Sequence, residues 1–287
     1  MFFQKTVFIM IFIANLAEAA PSKFFANDEI QKLAPAGFAL QPESAPFIRN
    51  LQATTEFHRK KLAQLILSDE DLRQALQAWP NLTLEEQIPS LRKIFQLEVQ
   101  LLGIQPPELV IGKNVTPGAA YFEFDVKKPT AGKVFLNTEA LAKEKSKYVS
   151  LSLLLHETRH SFQFQMAYLA PQLDQTNNGT LAVGYRAAFE AQNQLKGKLS
   201  FCDFLTLLNE YEAFQFGNDV VRRLTNGAVD LVDMGTFASQ YDAEGKLKID
   251  LVSLLDAFGE SALLGKFNEL EKVQYDLLMM DTSEKNP

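Results

Sequence analysis

The sequence predicts an α+β protein in which a small, mostly antiparallel sheet packs on a central helix and a helical C-terminal part follows. Three observations support this class. A helical segment precedes the strands, three short strand-like segments follow one another, and every later apolar segment has helical character. With 287 residues, 47% of them hydrophobic, the chain is long enough to form a substantial core.

The first residues have the pattern of a secretory signal peptide. Lys5 supplies a positive charge, residues 6–16 form an apolar run, and the Ala-Glu-Ala sequence at 17–19 fits the small-x-small cleavage pattern. A membrane-spanning helix needs about 20 apolar residues, more than this run contains. We therefore expect a signal peptide at 1–19, cleavage near Ala19, a secreted or periplasmic protein, and no stable membrane span after cleavage.

Residues 20–80 are interpreted as an N-terminal linker and helical segment. The prolines and small residues at 34–46 are typical of a linker, and residues 55–67 and 69–79 have helical patterns. His58 lies in a basic stretch, which favours an exposed position. The segment 47–80 is either a layer of the fold, which we prefer, or a propeptide that covers a cleft.

Local signals place the next elements within a second region, residues 81–287. Thr83 and Glu86 form a capping-box pattern at the start of a helix, and Gly103 ends it. Three strand-like segments follow. Their sequences are ELVIG (108–112), AAYFEFDV (119–126) and GKVFLN (132–137).

Helices are predicted for the rest of the chain. Residues 145–169 are apolar over most of the helical circumference, which indicates a buried helix. Further helices are expected at 182–195, 201–223, 248–258 and 260–280. The single cysteine, Cys202, cannot form an internal disulfide, and its apolar neighbours indicate a buried core residue.

Charge argues against nucleic acid as a partner. The formal net charge is −7, and the acidic balance offers no basic face for a phosphate backbone.

The sequence HETRH at 156–160 carries the main functional signal. Histidines four positions apart lie on one face of a helix, about 5–6 Å apart at Cβ, so His156 and His160 can bind one Zn²⁺ at about 2.0–2.1 Å. Glu157 lies beside that face, where it can reach a metal-bound water. The alternative is a pair of core histidines that are hydrogen-bonded to backbone or carboxylate groups.

On this motif, and on the strand-rich stretch ending in KVFLN before it, the chain from about 82 to 225 resembles the zincin metallopeptidases. The resemblance implies an upper helix, a small sheet whose edge strand binds substrate, and a central helix that carries HExxH. It also implies Zn²⁺ as the cofactor. Residues 120–126 are then the candidate edge strand for an extended peptide.

The third metal ligand follows less directly from the sequence. A catalytic zinc has three protein ligands. The metzincin pattern HExxHxxGxxH fails here because Gln163 and Met166 replace its last Gly and His. The gluzincin pattern E-x-x-[AS]-D resembles the sequence that begins at Glu210 and includes Ala213, but Phe214 stands where Asp is usual.

Glu212 is the main alternative to Glu210. Side chains two positions apart on a helix point about 200° apart, so only one of these two can face a metal. Glu210 is preferred, and Glu190 and Asp174 are less favoured candidates.

The resemblance implies a zinc-dependent metallopeptidase that hydrolyses a peptide or protein substrate through a zinc-activated water. Glu157 would be the general base and then the acid, and Tyr185, Tyr211 and Arg186 are candidate donors to the oxyanion. One alternative is a zincin-fold protein in which zinc has a non-catalytic binding or sensing role. Another is a latent protease.

Overall fold

The computed structural model describes residues 23–229, 240–242 and 244–284, so the predicted signal peptide lies outside the described residues. The described elements confirm the α+β class. In chain order they are α1 (Asp28–Gln31), α2 (Ala45–Ser68), α3 (Glu70–Ala78), α4 (Leu84–Leu102), β1 (Glu108–Gly112), β2 (Ala120–Glu123), β3 (Lys133–Asn137), α5 (Thr138–Leu141), α6 (Val149–Tyr168), α7 (Thr180–Gln194), α8 (Phe201–Leu205), α9 (Leu208–Leu224), α10 (Leu251–Phe258) and α11 (Leu263–Glu284).

Helix α4 begins and ends as its sequence predicts. The Thr83 hydroxyl accepts a hydrogen bond from the Glu86 backbone N–H at 3.3 Å, and the Glu86 carboxylate accepts from the Thr83 N–H at 2.7 Å. Gly103 ends the helix with φ of 65°, a left-handed conformation that glycine adopts without a Cβ penalty. Local capping chemistry therefore fixes both ends of this helix.

The three strands form a mixed sheet in the order β1-β3-β2. Strand β2 pairs antiparallel with β3, whereas β1 pairs parallel with it. The expectation of a mostly antiparallel sheet is therefore wrong. The physical reason is that the chain leaves β1, crosses to the far edge to form β2, and returns between the two, so β3 runs in the direction of β1.

Helix α6 lies at the centre of the fold. Every residue from Val149 to Ala167 is buried, because α6 packs against α4, α7 and α9 and against strands β2 and β3. Helix α9 comes especially close at Gly217, where an added Cβ would lie 2.8 Å from the Ser152 carbonyl oxygen. A side chain at 217 would push the two helices apart.

Residues 34–46 are packed into the fold, which corrects the prediction of a linker there. Phe38 and Leu40 are buried, and the Ala39 N–H donates to the Thr206 carbonyl at 2.7 Å. Phe38 also forms an isolated β-bridge with Leu207. These contacts between distant parts of the chain give order to a sequence whose composition is typical of a linker.

The same contacts divide the helix predicted at 201–223. Leu207 has an extended conformation, with φ of −55° and ψ of 136°, and it separates α8 from α9.

Helix α2 is longer than predicted and packs against α4, α7 and α9. One hydrophobic cluster includes residues from Phe24 to Tyr275, so the N-terminal helices share the core that surrounds α6.

Replacement of Gly217 by alanine is expected to destabilise the protein. The new methyl group would overlap the Ser152 carbonyl, and overpacking of this kind costs about 1–3 kcal/mol. The matched control is Gly265→Ala on α11, where an added Cβ would meet no atom within 4 Å. Alanine there should stabilise the helix by up to about 1 kcal/mol. Urea unfolding measures both changes, and equal stability of the two variants would contradict the close approach.

Candidate metal centre

Three side chains from two helices meet beside the centre of α6. His156 and His160 lie one turn apart on α6, and Glu210 lies in the first turn of α9. The Nε2 atoms of the two imidazoles are 2.9 Å apart. The Oε2 atom of Glu210 is 3.3 Å from each of these nitrogens. The structure therefore brings together the three residues that the motif analysis preferred.

These distances fit one metal ion with tetrahedral coordination. A tetrahedron with metal–ligand bonds of about 2.0–2.1 Å has ligand–ligand edges of roughly 3.3–3.4 Å. The two distances from Glu210 Oε2 to the imidazole nitrogens have this length, and the distance between the two nitrogens is shorter by a few tenths of an ångström. Two imidazole nitrogens and a carboxylate oxygen are also a donor set that Zn²⁺ accepts. The residues present therefore fit the ion.

The cluster is shielded from solvent, which strengthens its internal electrostatics. His156, His160 and Glu210 are 1%, 4% and 2% exposed. Burial raises the pKa of Glu210, but the two imidazoles outweigh it and hold that pKa at about 2. Burial lowers the pKa of His160, but Glu210 outweighs it and raises the value to about 9. For His156, burial and the neighbouring His160 lower the pKa.

Glu157 is buried next to the cluster with an unpaired carboxylate. Its side chain is 1% exposed, and apart from the Phe122 backbone N–H, which approaches it outside good hydrogen-bond geometry, neither oxygen has a partner among the described residues. Burial raises the pKa of Glu157 to about 8, and the charge of Glu210 adds to the rise, while His160 and the Phe122 backbone oppose it. An unpaired buried carboxylate costs free energy, which suits a group that acts on a ligand.

Glu212 is directed away from the cluster by a buried ion pair. Both of its oxygens accept from Arg159 Nε at 2.9 Å. The Thr55 hydroxyl donates to it at 3.0 Å and the Gln163 amide at 2.6 Å. Both oxygens of Glu212 are therefore occupied by hydrogen bonds, and Glu210 is the glutamate of this pair that faces the imidazoles.

Two glutamines orient the candidate ligands. Gln163 Oε1 accepts from His160 Nδ1 at 2.8 Å, so Nε2 is the nitrogen directed at the cluster. Gln192 on α7 donates to the second oxygen of Glu210 at 3.1 Å. Partners of this kind fix the orientation of metal ligands. Gln192 is not predicted from the sequence, because nothing local distinguishes it from other helical glutamines.

Phe214 occupies the position where the gluzincin pattern has Asp. Its ring centroid lies 4.2 Å from that of His156. The Nδ1 atom of His156 has no hydrogen-bond partner in the described part of the chain. Phe214 therefore packs against the His156 ring, while Glu210 contacts the same imidazole at Nε2.

The less favoured metal ligands, Asp174 and Glu190, and two of the candidate oxyanion donors, Arg186 and Tyr185, make other contacts. Asp174 accepts from the Ala182 backbone N–H at 2.7 Å in a loop, and Glu190 is exposed on α7. Arg186 donates to the Ala167 carbonyl at 2.6 Å, and Tyr185 packs edge-on against Phe47 with ring centroids 5.1 Å apart.

His58 is partly buried, which corrects the expectation of an exposed position. Its Nδ1 atom lies 3.0 Å from Arg159 Nη1, and its ring lies edge-on to Phe162. Arginine only donates, so this contact requires a neutral imidazole that accepts at Nδ1. Burial and the positive charge of Arg159 lower the pKa of His58 to about 3, against an opposing effect of Glu212.

Comparison with protein-family models, with curated proteins and with solved structures finds no match for this chain. The geometry of the chain's own residues therefore carries the functional argument.

Different effects are expected from Glu210→Gln and Glu212→Gln. The first removes a candidate ligand and should weaken zinc affinity at least about 100-fold, because a few ligands share a binding energy of about 10–16 kcal/mol. The second leaves Arg159 buried without its partner and should lower the free energy of unfolding by about 3–5 kcal/mol. Chelator competition and urea unfolding measure these quantities. Undiminished zinc affinity in Glu210→Gln would refute its assignment as a ligand.

The environment of His58 predicts a stability loss in mild acid. The folded state keeps His58 neutral down to about pH 3, whereas the unfolded state takes up a proton below about pH 6.5. The unfolding free energy should therefore fall by roughly 1 kcal/mol more between pH 7 and 5.5 in the wild type than in His58→Gln. Urea unfolding at both pH values measures this difference. Identical pH dependence of the two proteins would exclude the neutral buried imidazole.

Proposed function

We propose that the protein is a zinc-dependent metallopeptidase with a zincin-like fold, in which His156, His160 and Glu210 hold Zn²⁺. The observation that carries this proposal is the spacing of the three donor atoms next to the unpaired carboxylate of Glu157. A site of purely structural character needs no buried base beside it.

Glu157 and the two glutamines beside the cluster have separate roles in the proposed hydrolysis. A bound Zn²⁺ would supply Lewis acidity to the scissile carbonyl and to the attacking water. Glu157 accepts the proton of that water and later delivers it to the leaving amine. Gln163 and Gln192 hold His160 and Glu210 in place. The buried surroundings strengthen each of these electrostatic interactions.

Strand β2 is the candidate docking edge for an extended peptide. It lies at an edge of the sheet, with β3 as its partner within that sheet, and it packs on α6. Backbone groups at the edge of a sheet can pair with an added strand. A peptide held there would run past the helix that carries Glu157.

The proposal includes export. The signal pattern at 1–19 supports a secreted or periplasmic location. Within the described ranges, no helix combines the length and apolar character needed to cross a bilayer.

Burial of the site supports a second candidate function, zinc binding with a structural or sensing role. The three candidate ligands and Glu157 are each at most 4% exposed. The rings of Phe122 and Phe189 lie 6.2 and 6.3 Å from that of His160. A peptidase with this structure must open before a substrate reaches Glu157.

Peptide cleavage is expected to depend on Glu157. Glu157→Gln keeps the shape of the side chain and removes the base, so zinc binding should persist while turnover falls by about 10²–10⁴-fold. The test is cleavage of a diverse peptide library by the zinc-loaded protein, read by mass spectrometry. The matched control is Glu190→Gln, an exposed change on α7 that should leave cleavage intact.

The same experiment separates the two functions. Cuts that are present in the wild type and in Glu190→Gln, and absent in Glu157→Gln, support a peptidase. A folded, zinc-loaded wild type that cuts none of the library would overturn the peptidase and support the binding role.

A further inference from the structure

A second site is formed by a cavity of about 50 Å³ whose wall includes Phe214, the residue whose ring also contacts His156. Helix α9 contributes Tyr211, Phe214 and Gln215 to its wall, and α11 contributes Phe267, Glu271 and Gln274. Lys248 and Gln240 also line it. None of the three candidate metal ligands does, so this cavity is separate from the metal centre.

Two buried acceptor atoms line the cavity without partners. Glu271 is 4% exposed, and neither its Oε2 atom nor Gln274 Oε1 has a hydrogen-bond partner among the described residues. Residues three apart on a helix lie on the same face, so both oxygens belong to one side of α11. Each unsatisfied buried acceptor costs about 1–3 kcal/mol. A ligand that donates to both oxygens would recover this free energy.

We propose that this cavity binds a small molecule, or the end of a longer one, that carries a protonated primary amine. An ammonium group has three donors and a positive charge, which match a carboxylate and an amide oxygen. Phe214 and Phe267 provide apolar wall for the attached carbon chain. The volume accommodates an ammonium head with a short chain and is far below the roughly 300–1,000 Å³ of sites for drug-sized ligands.

The electrostatics of Glu271 agree with a cationic ligand. Burial raises the pKa of Glu271 to about 7, so a positive charge beside this carboxylate would stabilise its ionised form. Lys248 lines the same cavity but forms no ion pair with Glu271 among the described contacts. An ammonium group would provide the missing charge.

The test compares n-butylamine with n-butanol, which has a similar chain and no positive charge. Binding is measured by protein-observed NMR on the full chain at pH 8, where most Glu271 is ionised. The amine is expected to bind the wild type at least about tenfold more tightly than the alcohol, since charge-assisted hydrogen bonds are about twice as strong as neutral ones. The shifts should fall on the residues that line the cavity.

Two variants locate the effect. Glu271→Gln keeps the side-chain shape and should abolish the preference for the amine. Glu269→Gln changes an exposed carboxylate on the same helix, two positions away, and should preserve it. Equal binding of amine and alcohol to the wild type would overturn the proposal, and so would an undiminished preference in Glu271→Gln. Neither result depends on peptidase activity or on zinc.

Discussion

The buried ion pair between Arg159 and Glu212 determines how the two central helices face each other. Both side chains are fully buried, and an unpaired charge at such a depth would be strongly destabilising. Helix α9 must therefore present Glu212 to α6 at the level of Arg159. Because side chains two positions apart diverge by about 200°, this same orientation turns Glu210 toward His156 and His160. The interaction that holds the helices together thus also assembles the candidate metal centre.

This arrangement explains why α6 combines a buried position with many polar residues. Several polar groups on α6 find partners on neighbouring elements, such as Arg159 with Glu212 and Ser161 with the Ala131 carbonyl, whereas the carboxylate of Glu157 has no hydrogen-bond partner in the described part of the chain. Gln163 connects the two systems, since one end of its amide accepts from His160 and the other donates to Glu212. Gly217 permits the close helix approach on which these short hydrogen bonds depend. Folding and site geometry therefore rest on the same contacts.

Local signals were sufficient to predict much of this structure. The capping box at Thr83, the strand patterns and the spacing of the two histidines each depend on residues within a few positions of one another. Features that depend on distant contacts were predicted poorly. The bridge between Phe38 and Leu207 orders the apparent linker and divides a predicted helix. His58 contacts Arg159 on α6, and Gln192 contacts Glu210 from another helix.

The metal centre is tested most directly by zinc K-edge X-ray absorption on the protein loaded with one equivalent of Zn²⁺. We expect a first shell of nitrogen and oxygen at about 2.0–2.1 Å, with the outer-shell scattering of two imidazoles and no sulfur, because Cys202 is not among the candidate ligands. Glu210→Gln should alter that shell while the signal of both imidazoles remains. A shell without imidazole scattering, or failure of the folded protein to retain zinc, would contradict the metal centre.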